Sequence, residues 1–483
     1  MNENPNTVLP DLGTKKTREK FSSRLGFILI SAGCAIGLGN VYRFPIITGA
    51  YGGALFVLIY LGFLLLLGIP VMCAELAVGR ASQRSIATSF EKLEKPGQKW
   101  HLMKFLGIGG NYLLMMCYTV IAGWMLLYFF KYLGGGIMDV GADVEKEALA
   151  GALGAHFGET VGNTWLVIGS TAATILLCFG VCALGLQKGV ERVTKYMMIA
   201  LFVLIIGLAI YCCTLERVAE GLKFYLVPSA ESFTKNDIFT IITAAMGQAF
   251  FTLSVGIGSI AIFGSYISKD RSLLGEAVTI TGLDTFIALA SGFIVFPACF
   301  TFAGGINVDA SEVGAKFLFT TLSSTFNSMG PVVGRIIGSL FFLFMLFAAY
   351  STVIAVFENI MSFWLEMTNL KRWQVSLINI GLIMVLALPA VFSLNVWSDV
   401  TVFGLGFLDL EDFVVSNLLL PIGSLIYVIF CTSRYGWGWK SFEAELNAGN
   451  GLKFPRKLRI YMAYVLPLII FALLVITLVG KLI

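Results

Sequence analysis

The chain has 483 residues, of which 57% are hydrophobic and 13% charged, with a formal net charge of +4 and a mean hydropathy of +0.86. So little charge cannot cover the surface of a water-soluble chain of this length, and no nucleic-acid partner is expected. Apolar runs of about twenty residues, the length that crosses a hydrocarbon core of about 30 Å, recur throughout, so the chain reads as an all-α polytopic membrane protein.

Residues 1–23 are polar and basic, with Lys15, Lys16, Arg18 and Lys20, and contain no apolar stretch or cleavage site. They predict a cytoplasmic N-terminus rather than a signal peptide. Eleven spans follow, near 24–50, 53–80, 104–132, 164–186, 189–213, 236–267, 275–303, 331–366, 373–393, 400–432 and 457–480. Most of the 33 Lys and Arg residues then fall on the side of the N-terminus. The longest loop on the other side, about 133–163, is acidic through Asp139, Asp143, Glu145, Glu147 and Glu159. Basic residues favour the cytoplasmic side, so this topology is self-consistent and puts the C-terminus outside. Between spans seven and eight, residues 303–330 predict a partly helical cap with Phe317, Phe319, Leu322 and Phe326 as its packing face.

The first and sixth spans are interrupted by glycine: Gly33-Cys34-Ala35-Ile36-Gly37-Leu38-Gly39-Asn40 in one, Ser254-Val255-Gly256-Ile257-Gly258 in the other. Lipid offers the backbone no hydrogen-bond partner, so unwound chain at membrane depth must line a polar site. Breaks at matching places in two halves of a chain mark the binding site of a transporter. Amides opening the second half-helix, Leu38 and Gly39, attract a carboxylate, and the carbonyls of Gly33, Ala35 and Ile36 attract a cation. Asn40, Thr252, Ser351 and Thr352 offer further oxygens, and Asp284 a full negative charge. A lone Ser or Thr in a span is more often a packing hydroxyl. It is their presence together with two breaks that points to ion binding.

Other ionisable groups inside the spans are Arg43, Glu75, Glu358 and the Asp409/Glu411/Asp412 cluster. Glu75 and Glu358 are expected to tie down backbone exposed by the breaks. Arg43, one turn past the first break, is placed to guard an entrance by pairing with an acid from another helix. Nine cysteines lie in or beside apolar segments without zinc or redox spacing, and Cys212-Cys213 reads as two small buried residues. With two histidines and no nucleophile–base set, the chain does not read as an enzyme.

The strings Arg24-Leu25-Gly26, Gly37-Leu38-Gly39-Asn40-Val41-Tyr42-Arg43-Phe44-Pro45, Glu75-Leu76-Ala77-Val78-Gly79-Arg80 and Gly247-Gln248-Ala249-Phe250-Phe251-Thr252-Leu253-Ser254 resemble the signature of the sodium:neurotransmitter symporters. The resemblance is closest to the bacterial leucine-transporter branch and runs from about residue 18 to the end. It implies a five-plus-five inverted repeat (about 24–213 and 236–432), an additional helix at 457–480 and one transmembrane domain over 24–480. Residues 1–23 become a cytoplasmic latch, and the location is the plasma membrane, or the inner membrane of a bacterium. It also implies sodium-coupled symport of an amino acid by alternating access.

Carried over by resemblance, one sodium ion is held by Ala35, Asn40, Thr252, Asp284 and the substrate carboxylate. A second is held by the carbonyls of Gly33, Ile36 and Ala348 with the hydroxyls of Ser351 and Thr352. The amides of Leu38 and Gly39 and the Tyr118 hydroxyl take the carboxylate. Leu114, Phe251, Ser254, Ile257, Thr352, Val353 and Val356 surround the side chain, with Phe251 as lid. Arg43 and Asp412 form an outer gate, and Arg18, Tyr266 and Glu366 an inner latch. Monoamine carriers of the family have an aspartate where this chain has Gly37, which favours an amino acid over an amine or osmolyte. The mostly hydrocarbon lining favours apolar side chains. Where chloride-dependent relatives place the anion among Tyr, Gln, Thr/Ser and Asn, this chain has Tyr60, Gln248, Thr252 and Asp284, so no chloride requirement is expected. Ile199 stands in span five where many relatives have a helix-loosening proline. A substrate-gated channel or sensor is the alternative from another class; the preferred amino acid and the oligomeric state are not legible.

Overall fold

The computed structural model describes residues 24–140, 144, 146–228, 238–305 and 318–482. Among them every regular element is a helix, and the only pairings of extended chain are the bridges Arg271–Asn450 and Val402–Leu405. Helices satisfy their own backbone groups, which is what an apolar chain of this kind needs in lipid.

Among the described residues, nine helices are long and apolar enough to cross a membrane. They are Ala54–Ser82 (span 2), Trp100–Gly134 (span 3), Thr164–Ala183 (span 4), Leu186–Cys212 (span 5), Leu273–Phe302 (span 7), Pro331–Met367 (span 8), Arg372–Phe392 (span 9), Phe407–Thr432 (span 10) and Arg456–Val479 (span 11). Span 1 is a pair, Arg24–Ala35 and Gly39–Ala50, bent by 56°. The expected sixth span is also divided, into Ile238–Leu253 and Ser259–Gly264, each too short to cross alone. Span 10 starts at Phe407 rather than near residue 400, because Phe403 and Gly404 have positive φ and end the preceding chain in a tight turn.

Each group of five spans therefore opens with a broken helix. Span 1 lies against spans 5, 7 and 8, and span 8 packs along span 3. Small residues permit the closest crossings. A methyl on Gly79 would stand 2.0 Å from the Ala261 carbonyl oxygen, and one on Gly264 2.6 Å from that of Leu76. Span 2 and Ser259–Gly264 thus meet backbone to backbone.

On the side away from Arg24, hereafter the outer side, the helix Lys146–Gly162 buries Leu149, Leu153, Phe157 and Val161. Phe157 stacks on Phe319 at 4.7 Å, and Trp124 meets both rings edge-on. The expected cap is helical over Leu318–Ser328 and buries Phe319, Leu322 and Phe326; Phe317 lies outside the described residues. On the inner side, the helix Trp439–Leu446 is pinned by Arg80, which reaches Glu445 at 2.6 Å and the Arg271 carbonyl at 2.5 Å. Eight cysteines are buried, but Cys213 is exposed, so the Cys212-Cys213 pair is not wholly inside. Cys213 caps the end of its helix, where the next residues turn away from the bundle.

Candidate functional site

Helix stops after Ala35 and resumes at Gly39, while span 6 stops after Leu253 and resumes at Ser259. In the second break Ser254, Gly256 and Gly258 take φ of +50°, +105° and +84°, which no helix can contain. The freed backbone groups find internal partners. Glu75 accepts from the amides of Gly256 (2.8 Å), Ile260 (3.1 Å) and Ala261 (3.3 Å), as expected of a carboxylate holding a break. Glu358 pairs with Arg372 at the start of span 9 and accepts from Ser362. Asn111 donates to the Ile257 carbonyl at 2.9 Å and accepts from Ser259 and Asn359. Sequence reasoning passed over Asn111 and Asn359; their signal was an uncharged amide inside an apolar span. The two breaks are tied to one another by Ser254 Oγ, which donates to the Cys34 carbonyl at 3.3 Å.

Two groups of oxygen atoms gather around the first break. In one, Asn40 Nδ2 donates to the carbonyl (3.0 Å) and to Oδ1 (2.8 Å) of Asp284, and the Thr252 hydroxyl reaches the Asp284 carboxylate at 3.1 and 3.3 Å. Asn40, Thr252 and Asp284 are all buried. Ala35, the fourth expected member, lines the adjoining cavity. In the other group, the Ser351 hydroxyl lies 3.4 Å from the Ile36 carbonyl and 3.0 Å from that of Ala348. The Thr352 hydroxyl lies 3.2, 3.4 and 3.4 Å from the carbonyls of Gly33, Ile36 and Ala348. Five oxygens from spans 1 and 8 thus gather together, hard donors of the kind that replace the water around a small cation.

Between the groups lies a small cavity lined by Ala35, Gly37, Gly39, Leu114, Tyr118, Phe251, Ser254, Thr352 and Leu420. The Leu38 amide donates to the Tyr118 hydroxyl at 2.8 Å, which marks its polar end. A methyl on Gly37 would stand 2.4 Å from the Tyr118 oxygen and 2.6 Å from Thr352 Oγ1; one on Gly39 would strike the Phe251 ring at 2.8 Å. Of the expected lining, Leu114, Phe251, Ser254 and Thr352 meet at this cavity. Ile257, Val353 and Val356 are buried but lie outside its lining, and Leu38 faces the neighbouring outer space instead. Leu420 was not anticipated. Span 10 reaches the cavity because Gly423 lets it approach the second break, where a methyl would stand 1.9 Å from the Gly256 carbonyl oxygen.

Phe251 and Tyr118 line both this cavity and a larger outer vestibule of about 270 Å³. Arg43 stands over the Phe251 ring at 4.3 Å, 3.5 Å from Asp412, and donates to Ser416 at 3.2 Å. Asp409 lines the same vestibule. On the inner side Glu366 accepts from the Ser85 amide (2.8 Å) and from the hydroxyls of Ser85 and Thr88 (both 2.9 Å). The Tyr266 hydroxyl lies 3.3 Å from that of Ser362. Arg18, the remaining member of the expected latch, lies outside the described residues.

The sequence matches the sodium:neurotransmitter symporter family over residues 18–137 and 156–481. It is 34% identical over 415 residues to an uncharacterized sodium-dependent transporter of Bacillus subtilis, YhdH, covering 85% of this chain and 87% of that one. It is 30% identical over 462 residues to an uncharacterized sodium-dependent transporter of Haemophilus influenzae, covering 94% and 97%. Among solved structures, MhsT in complex with L-phenylalanine superposes with a TM-score of 0.83 at 34% identity, over 95% of this chain and 99% of that one.

Proposed function

The chain belongs to the sodium:neurotransmitter symporter family, and from that premise we propose that it carries an apolar amino acid inward with sodium ions, without needing chloride. The observation that carries this reading is the pair of oxygen clusters flanking a mostly hydrocarbon cavity whose polar end is the Tyr118 hydroxyl, backed by the Leu38 amide. A carboxylate bound there lies beside the Asn40–Thr252–Asp284 group and completes the shell of a cation. No acid can replace it from position 37, where even a methyl would strike Tyr118 and Thr352. An amine lacking a carboxylate would leave the ion short of a ligand.

Leu114, Phe251 and Leu420 favour a large aliphatic or aromatic side chain, and the phenylalanine held by the solved relative supports the aromatic choice. A charged side chain would be buried without a partner at a cost of several kcal/mol. Asp284 supports the independence from chloride. It is buried and hydrogen-bonded to the proposed ion ligands, so its fixed charge substitutes for a mobile anion. At a few ångströms in a low-dielectric site such a charge is worth on the order of several kcal/mol.

The test is thermal stability with each amino acid in sodium and in choline buffer. Ligands that bind the folded state stabilise it. Sodium is expected to tighten amino-acid binding, and the amino acid to tighten sodium binding by the same factor, because linkage is reciprocal. Equal binding in the two buffers would refute the coupling. Uptake is expected to survive replacement of chloride by gluconate at constant sodium, and Asp284→Asn is expected to abolish uptake in that medium.

A further inference from the structure

The inner ends of spans 3 and 10 meet in a basic, partly aromatic patch that carriage of an amino acid does not use. Lys95, in the chain between spans 2 and 3, donates through Nζ to the Arg434 carbonyl just beyond span 10 at 2.8 Å. Trp100, which opens span 3, donates through Nε1 to the Tyr435 carbonyl at 2.7 Å and packs on Phe430 at 5.4 Å. The Arg434 guanidinium lies 4.9 Å from the centre of the Tyr435 ring and donates to its hydroxyl at 3.0 Å. That hydroxyl keeps its own proton for another acceptor. Lys95, Lys99, Arg434 and Tyr435 are all exposed, and Lys99 immediately precedes Trp100. No carboxylate answers this charge. Among the described residues Lys95, Lys99 and Arg434 form no ion pair, whereas Arg24, Arg80, Arg372 and Arg456 on the same side each meet an acid. The adjoining Glu94 is taken by His101, through the ring at 2.7 Å and the amide at 3.1 Å, and Glu91 is exposed on the short helix before it. Carbonyls at the end of span 10 are covered too: that of Phe430 accepts from the amides of Trp437 (2.9 Å) and Gly438 (3.4 Å). The negative end of that helix is thereby offset, and the patch presents positive charge.

We propose that this junction is a docking site for an anionic phospholipid on the inner side of the membrane. Its phosphate accepts from the Arg434 guanidinium, the Lys95 and Lys99 ammonium groups and the Tyr435 hydroxyl. The depth is right for a headgroup, because span 3 begins at Trp100 and span 10 ends at Thr432. Leu102 and Phe105, in the first turns of span 3, are 51% and 63% exposed and offer hydrocarbon on which the acyl chains lie. A free phosphate ion has no use for those two side chains, which is why the occupant is a lipid. Basic side chains near a membrane surface each favour an anionic lipid by about 1 kcal/mol, and an arginine fork adds geometry that matches a phosphate. Bound there, the lipid bridges spans 3 and 10 and stabilises the fold, whichever amino acid the protein carries.

The test titrates the full chain, in dodecyl maltoside, with dioleoylphosphatidylglycerol and follows its melting temperature, with dioleoylphosphatidylcholine and inorganic phosphate as comparisons. Only the phosphatidylglycerol is expected to give a saturable rise. Arg434→Gln and Lys95→Gln are each expected to raise the half-saturating lipid concentration about five-fold, and the two together about twenty-fold. Lys188→Gln with Arg192→Gln, at the inner end of span 5, is expected to leave the response unchanged. An equal response to phosphatidylcholine or to inorganic phosphate overturns the site. So does an undiminished phosphatidylglycerol response in the double variant, or in Arg434→Gln alone should the double variant not fold. An equal loss in the span 5 pair overturns it as well, since surface charge in general would then account for the binding. The measurement contains neither sodium nor amino acid, so a failure of sodium-coupled uptake would count against the proposed function and not against this site.

Discussion

Thr352 is the side chain on which the site converges. Its hydroxyl reaches three carbonyls of spans 1 and 8, and it also limits the space beside Gly37. Thr352→Val keeps the shape and removes the oxygen. It is expected to weaken sodium binding roughly ten-fold, about 1.4 kcal/mol, as read from sodium titrations of thermal stability. Gly37→Ala is expected to abolish stabilisation by apolar amino acids while leaving the protein folded, since the new methyl displaces Tyr118 and Thr352 from the cavity. A third residue lies on the outer surface. Burial and the nearby Lys131 ammonium hold the pKa of His156 below its usual range, with Glu159 opposing them. Lys131 donates to the ring at 2.9 Å, which requires the neutral imidazole. The unfolded chain therefore binds the proton more readily than the folded one, and stability is lost as pH falls through the unfolded value of about 6.5. Hydrogen exchange over Lys146–Gly162 is expected to accelerate at pH 5 relative to pH 7.5, and His156→Gln to flatten that difference.

At the scale of elements, the second break is held by span 2. Glu75 supplies two oxygens to three amides, and Gly79 and Gly264 let the two helices meet through their backbones. These contacts make span 2 and Ser259–Gly264 one unit. Glu75→Gln replaces one accepting oxygen by a donor that faces backbone N–H groups. It is expected to cost about 3 kcal/mol, visible as a large drop in melting temperature without ligand. The contact expected to be an outer gate is built differently, from one arginine stacked on the Phe251 ring. Arg43→Lys retains the charge but loses the flat contact with Phe251 and the geometry that reaches both Asp412 and Ser416. Faster release of bound amino acid is its expected effect, measured by dilution after equilibrium binding.

Across the whole molecule, the large vestibule lies on the outer side of Phe251, and the contacts of Glu366 close the inner face. For the proposed carrier, with its N-terminus inside, this arrangement would receive cargo from outside. The orientation has a direct check in Cys213, the one exposed cysteine, at the outer end of span 5. A membrane-impermeant maleimide added to intact cells is expected to label this position alone, and Cys213→Ser to lose the signal. Labelling confined to inside-out vesicles would reverse the topology.

Much of this was legible in the chain itself. Apolar length set the spans, because lipid demands some twenty residues of helix whatever they pack against. Glycine clusters located both breaks, since they interrupt helices locally. Glu75 was readable as a backbone anchor, and Arg43 as a residue that pairs with an acid of another helix, because an ionisable group in lipid needs a partner. Other features depended on distances between remote segments. Leu420 reaches the cavity through the Gly423–Gly256 contact, and Glu358 meets Arg372 because span 9 begins beside it. Span 10 lost its first residues to a turn at Phe403 and Gly404. Periodicity and composition describe each helix against lipid and water. Which side chains share a cavity follows from how closely helices cross, and only the folded chain decides that.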